Sequence, residues 1–193
     1  LKHDYYKLKQ SDILAVSYRQ PRPTLDYTTI LNAMPDIIKI YPNFYFAIGT
    51  GGRAFPDLID IVRKNNIDQN ILFMPNIPYE KLHLYIAQAD IFIDPVNTKK
   101  YPETDSNGVS NSLIESIVSG LIPVIGKRSG LENYLPKEAM DLVYEDMELD
   151  FKDSLLKTIP MINNKKKEIY RDFIKDNNEW KNNVDNIITL FNE

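Results

Sequence analysis

The stretch Asn107-Gly108-Val109-Ser110-Asn111-Ser112-Leu113-Ile114-Glu115 combines the residue types of a ligand-binding loop with those of a helix start. Gly108 frees the backbone to turn. Ser110, Asn111 and Ser112 are each able to cap a helix N-terminus, and Leu113, Ile114, Ile117 and Val118 recur at helical spacing. A loop that ends on a helix start gathers backbone N–H groups and the positive end of a dipole at one spot, which suits a phosphate. Ser112 and Glu115 also have the spacing of a capping box, in which the carboxylate would only bond backbone at the helix start. Two further clusters carry chemistry. The loop 17–24 holds Arg19 and Arg22, either a pair of anion ligands or a solvated pair. Gly49, Gly51 and Gly52 follow an apolar run and shape a turn.

The elements that must position these residues alternate. Residues 13–16 predict a first strand, 25–41 a helix that Pro35 should kink, and 44–48 a second strand that ends in the glycine turn. Helix 56–64, strand 71–74, helix 79–88 and strand 91–94 follow, then a long loop over 95–106. Beyond Glu115, Gly120 stops the helix and 121–125 is an apolar run of strand length bounded by Gly126. A short helix near 130–135 and a sixth strand at 142–144 come next, with closing helices over 151–158, 165–175 and 180–191. Parallel strands need helical crossovers, so this order predicts an α/β fold: a Rossmann-like, doubly wound parallel sheet of about six strands. Ligands of such sheets bind where the loops at the C-terminal strand ends gather, and the Arg19/Arg22 loop, the Gly49 turn, the 75–78 loop and the Asn107 loop all belong there. Residues 1–12 read as a linker or packing helix and 13–193 as one domain.

Composition narrows the function classes. With 43% hydrophobic and 26% charged residues in 193, the chain is long enough to bury a core. A net charge of −4 with scattered Lys and Arg gives no basic face for nucleic acid. Cysteine is absent, so thiolate metal sites and disulfides do not arise, and no apolar run reaches the roughly 20 residues of a membrane span. The first residue is Leu1, which leads us to expect a piece of a longer protein. His83 has no second His or Cys nearby and reads as structural. Tyrosines 5, 6, 79 and 85 read as packing or interdomain surface.

Together these segments resemble the C-terminal, nucleotide-sugar-binding domain of retaining glycosyltransferases of GT-B fold, in the large group 1 family. The resemblance runs over about 13–191. Members carry a Glu, seven residues and a second Glu, then a small residue, Gly and a Pro-containing apolar strand. Here Asn107 takes the first Glu position and Glu115 the second, and Ser119-Gly120-Leu121-Ile122-Pro123-Val124-Ile125 matches the strand. The stretches 71–74, 77–82 and 89–95 fit the preceding strand, helix and strand, and Trp180 with the final helix resembles the segment that crosses back to the N-terminal domain.

The resemblance implies that Glu115 accepts hydrogen bonds from the ribose hydroxyls of a nucleoside diphosphate sugar. Gly108, Val109, Ser110, Asn111 and Ser112 would surround the sugar and diphosphate, and Gly49 and Gly51 would border the same donor. The family's Arg and Lys, which neutralise the leaving diphosphate, align with Tyr18 and Pro23, so Arg19 and Arg22 inherit that role by proximity and charge. Asn107 departs from the catalytic carboxylate position: either Glu103 or Asp105 supplies a carboxylate from the side, or the donor contacts differ, or activity is lost. No Asp-x-Asp pair occurs, so no metal and no other cofactor is expected. Retention in this family is thought to use front-face attack with the leaving phosphate as base. The expected protein is a hexosyltransferase-type enzyme, inactive as this piece alone. Its acceptor would be a carbohydrate or lipid-linked one, its missing N-terminal domain would bind that acceptor, and it would have no nucleic-acid partner. It would work in polysaccharide biosynthesis in the cytoplasm, peripheral to the inner membrane face through the missing half. The alternative is a catalytically inactive GT-B-like domain serving as assembly or regulatory partner of a transferase, which Asn107 and the absent loop Lys favour.

Overall fold

A computed structural model describes residues 4–107, 109–135, 137–140 and 143–162. Gly108, Trp180 and the helices expected at 165–175 and 180–191 lie outside these residues. Five parallel strands, β1 (Ile13–Ser17), β2 (Phe44–Gly49), β3 (Ile71–Met74), β4 (Ile91–Ile93) and β5 (Ile122–Val124), lie in the order β3-β2-β1-β4-β5. The helices are α1 (Tyr27–Ile40), α2 (Phe55–Lys64), α3 (Tyr79–Ile86), α4 (Asn111–Val118), the short α5 (Lys137–Met140) and α6 (Met147–Thr158). The fold is the α/β doubly wound sheet that the alternation predicted. Of the sixth strand expected at 142–144, residue 142 lies outside the described residues, and the described part forms one parallel bridge between Gly126 and Tyr144.

Strand side chains alternate between faces, and the burial follows. Ala15, Phe46, Ile48, Ile91, Ile93 and Val124 pack under α1, α2 and α6, while Leu14, Val16, Ala47, Phe92 and Ile122 pack under α3 and α4. Both faces are covered, which is why these strands read as continuous apolar runs. Growth of the sheet reverses at β1, with β2 and β3 on one side and β4 and β5 on the other. A right-handed crossover then puts the later helices on the opposite face and opens a crevice between the C-terminal ends of β1 and β4.

Side-chain hydrogen bonds support both the start and the middle of α1. Asp26 caps α1, accepting from the Thr29 backbone N–H at 3.2 Å. Helix α1 runs through Pro35, which has no N–H for the Leu31 carbonyl four residues back; the Asn65 side-chain amide donates to that carbonyl at 3.2 Å instead. At the chain's start, Asp4–Tyr6 form a 3-10 turn whose Tyr6 is buried, its hydroxyl 3.0 Å from that of Tyr18.

Candidate functional site

At the switch point the loops after β1, β4 and β5 enclose a polar cavity of about 100 Å³, lined by Arg19, Arg22, Thr104, Ser110 and Arg128 among others. Asp94, which continues β4, is fully buried and holds two of the arginines. The Arg19 Nη1 donates to Oδ1 at 3.2 Å and the Arg128 Nη2 to Oδ2 at 2.7 Å. The Val96 backbone N–H adds a third bond to Oδ1 at 3.3 Å, and the Tyr144 hydroxyl donates to the Asp94 carbonyl at 3.3 Å. One carboxylate therefore joins the first strand's loop to the last strand's loop across the crevice. Three guanidinium groups against that carboxylate leave the cavity net cationic, and planar guanidinium groups suit phosphate oxygens.

Ser110 both lines this cavity and caps α4, its hydroxyl accepting from the Leu113 N–H at 3.3 Å. The capping box at Ser112 and Glu115 is not formed: Ser112 lies inside the helix, with its hydroxyl 3.1 Å from that of Ser110. Glu115 is thereby released from the helix start and instead accepts from the Tyr79 hydroxyl at 3.3 Å. The two line an open groove of about 450 Å³ between α3 and α4, with Leu82, Ile86 and Val118 as its apolar wall. Asn111 is the first residue of α4, Val109 packs into the core beneath it, and Asn107 ends the 3-10 turn Pro102–Asn107.

Gly49 and Tyr18 line a smaller cavity of about 90 Å³ at the ends of β1, β2 and β3. A side chain at Gly49 would meet the Tyr18 carbonyl oxygen at 2.9 Å, and Gly51 and Gly52 have φ of +82° and +81°. Glycine there lets the β2 turn close against the arginine loop. Burial, and then its Tyr6 neighbour, push the Tyr18 hydroxyl well above its ordinary range, so it stays neutral.

The long loop before α4 is tied down at two points. Asn97 and Lys100 bond the Asp26 carboxylate at 2.9 and 3.3 Å. Burial alone would raise the Asp26 carboxyl, but the bonds from Asn97 and Thr29 and the Lys100 charge outweigh it and hold it below the usual range. Asp105, one of the two carboxylates offered as a substitute for the family Glu, accepts from the Ser129 N–H and hydroxyl at 2.9 and 3.0 Å. Sequence reasoning missed Asp94, Arg128 and Tyr79 as members of the site. The first of these had a signal, an Asp that ends an apolar strand.

The fold is the Rossmann-like one that forms the C-terminal half of GT-B glycosyltransferases. The chain resembles the solved C-terminal domain of the glycosyl transferase group 1 family protein LpcC from Francisella tularensis, with a TM-score of 0.70 at 13% identity over 91% of this chain and 90% of that one. It also resembles an S. aureus TarM mutant in complex with fondaparinux, alpha-GlcNAc-glycerol and UDP, with a TM-score of 0.73 at 14% identity over 97% of this chain and 37% of that one. Among curated proteins it is 27% identical, over 61% of its length and 30% of the relative's, to the GDP-mannose-dependent alpha-(1-6)-phosphatidylinositol monomannoside mannosyltransferase of Mycolicibacterium smegmatis. The chain spans no more than about a third of the length of the curated relatives it matches. No protein-family model matches it.

Proposed function

We propose that the chain is the donor-binding domain of a retaining glycosyltransferase, which moves a sugar from a nucleoside diphosphate sugar to a carbohydrate or lipid-linked acceptor held by another part of the protein. The observation that carries this reading is the convergence of Arg19, Arg22 and the Ser110 cap of α4 on one cavity at the switch point. There the arginines and the helix start would bind the diphosphate and stabilise the charge that develops on it as the glycosidic bond breaks. Glu115, at the edge of the α3–α4 groove, would accept from the ribose hydroxyls. Gly108 to Asn111 would lie along the sugar, with Asn107 donating or accepting as a neutral amide where the family has a carboxylate.

The matched relatives support a transferase, and the phosphatidylinositol mannoside named for one of them supports a lipid-linked acceptor. Cations from the protein are the proposed counter-charge to the leaving group; among the described residues no group of three His, Cys, Asp or Glu side chains stands together as a metal site. No helix among them is long and apolar enough to cross a membrane. A non-catalytic assembly partner is the less favoured reading, since the cationic cavity is retained.

Calorimetric titration with UDP, GDP and ADP tests the proposal. One diphosphate is expected to saturate the chain, with Glu115→Ala weakening it by about 1.5–3 kcal/mol through loss of a charge-assisted hydrogen bond. Absence of binding by all three at millimolar concentration would overturn it.

A further inference from the structure

Arg128 is unlike the other two arginines of the cavity. Its side chain is 2% exposed against 29% for Arg19, while Arg22 is exposed. Burial of a guanidinium is costly unless its donors are used. Arg128 donates through Nη2 to Asp94, yet its Nε is buried with no hydrogen-bond partner among the described residues. The same side chain lines the polar cavity beside Arg19, Arg22 and Ser110. A carboxylate already shared with Arg19 neutralises only part of the charge that these groups bring to the crevice.

Position matters as much as charge. Arg19 and Arg22 reach the cavity from the loop after β1, whereas Arg128 reaches it from the loop after β5, on the far side of the switch point. A ligand with two linked phosphoryl groups offers oxygens in opposite directions, and cations on opposite walls can each take one group. The wall opposite the two arginines of the β1 loop thus carries a buried cation with donor capacity unused.

We propose that Arg128 is a further phosphate-binding residue of this site, pairing with the phosphoryl group of a diphosphate opposite to the one held by Arg19 and Arg22, with Asp94 as the residue that positions it. This rests on the donor-site reading for the identity of the ligand, but the anion chemistry is testable without a nucleotide.

The full chain would be titrated with inorganic pyrophosphate and with orthophosphate, as wild type, Arg128→Gln and Arg128→Lys, with circular dichroism and thermal melting of each. The expected result is pyrophosphate binding that weakens about tenfold or more in Arg128→Gln, weakens less in Arg128→Lys, and becomes less dependent on salt in the Gln variant. Orthophosphate, which has a single phosphoryl group to offer, is expected to depend less on Arg128 than pyrophosphate does. If Arg128→Gln keeps its circular dichroism spectrum and binds pyrophosphate as the wild type does, Arg128 is only the buried partner of Asp94 and the proposal fails. If Arg128→Gln unfolds, the decision rests on Arg128→Lys, whose pyrophosphate affinity must fall at unchanged melting temperature. A chain that binds pyrophosphate through Arg128 but no nucleoside diphosphate keeps this inference and loses the donor reading. A chain that binds a nucleoside diphosphate equally well with and without Arg128 does the reverse.

Discussion

The arginine cavity lies among loops at the C-terminal ends of the strands and the groove runs between helices α3 and α4, and the two are held in different ways. The cavity is small and charged, and its walls are joined through a buried carboxylate with partners on three separate segments. The groove is more than four times larger, mostly apolar, and bridged by a 3.3 Å bond between Glu115 and a tyrosine that is 75% exposed. Buried charge networks are stiff because every partner lost leaves an unpaired charge. An exposed hydrogen bond competes with water and fixes little. The comparison teaches that the phosphate end of the proposed donor site is pre-formed by the fold itself, whereas the nucleoside end is left for the ligand to complete.

The largest test of this contrast is Asp94→Ala. It strands a buried guanidinium and cuts the tie between the β1 and β5 loops, so it is expected to cost about 3–5 kcal/mol in equilibrium urea denaturation. A cost below about 1 kcal/mol would show that the cavity walls stand without their carboxylate, and the contrast would collapse.

A smaller effect belongs to Asp26, which braces the long loop from outside the cavity. Asp26→Ala removes the α1 cap and the anchor of Asn97 and Lys100, with an expected cost of about 1–2 kcal/mol at neutral pH. The Asp26 carboxyl is held below its ordinary range in the folded chain. Its charge therefore contributes stability that is fully present above the unfolded value of about 3.9 and is lost as pH falls through the lower folded value. The gap between wild type and Asp26→Ala should narrow on acidification below about pH 4. A gap that is constant or widening there would mean that the cap acts through its neutral hydrogen bonds alone.

How far the sequence reveals these two regions follows from the range of the interactions. Strands and crossovers were legible because both faces of the sheet are buried, which writes apolar runs such as Ile91-Phe92-Ile93 into the chain. The start of α4 was legible as a class of residue, but Ser110 and Ser112 are equal candidates until the helix register is known. Arg19, Arg22 and Ser110 were found because charged or capping residues in adjacent strand-end loops must share a crevice. Arg128 was not, because an Arg after a lysine reads as solvated surface, and its partner Asp94 lies 34 positions away. Likewise no local pattern shows that Asn65 serves the Leu31 carbonyl that Pro35 leaves without a donor.

Tyr79→Phe probes the loose side of the comparison and should give the smallest effect on stability. The hydroxyl sits on an exposed residue, so its removal is expected to change unfolding free energy by less than about 0.5 kcal/mol. Binding should respond differently. A carboxylate has acceptor capacity for the tyrosine and for ribose hydroxyls together, so Tyr79 would orient Glu115 without competing for it. Loss of that bond frees the side chain to rotate, and the lost order must then be supplied on binding. The expected result is nucleoside diphosphate affinity weakened by about two- to fivefold at unchanged melting temperature. An unchanged affinity would assign Glu115 its orientation from α4 alone. A melting temperature lowered by several degrees would show that the groove is as firmly built as the cavity and that the two regions do not differ in kind.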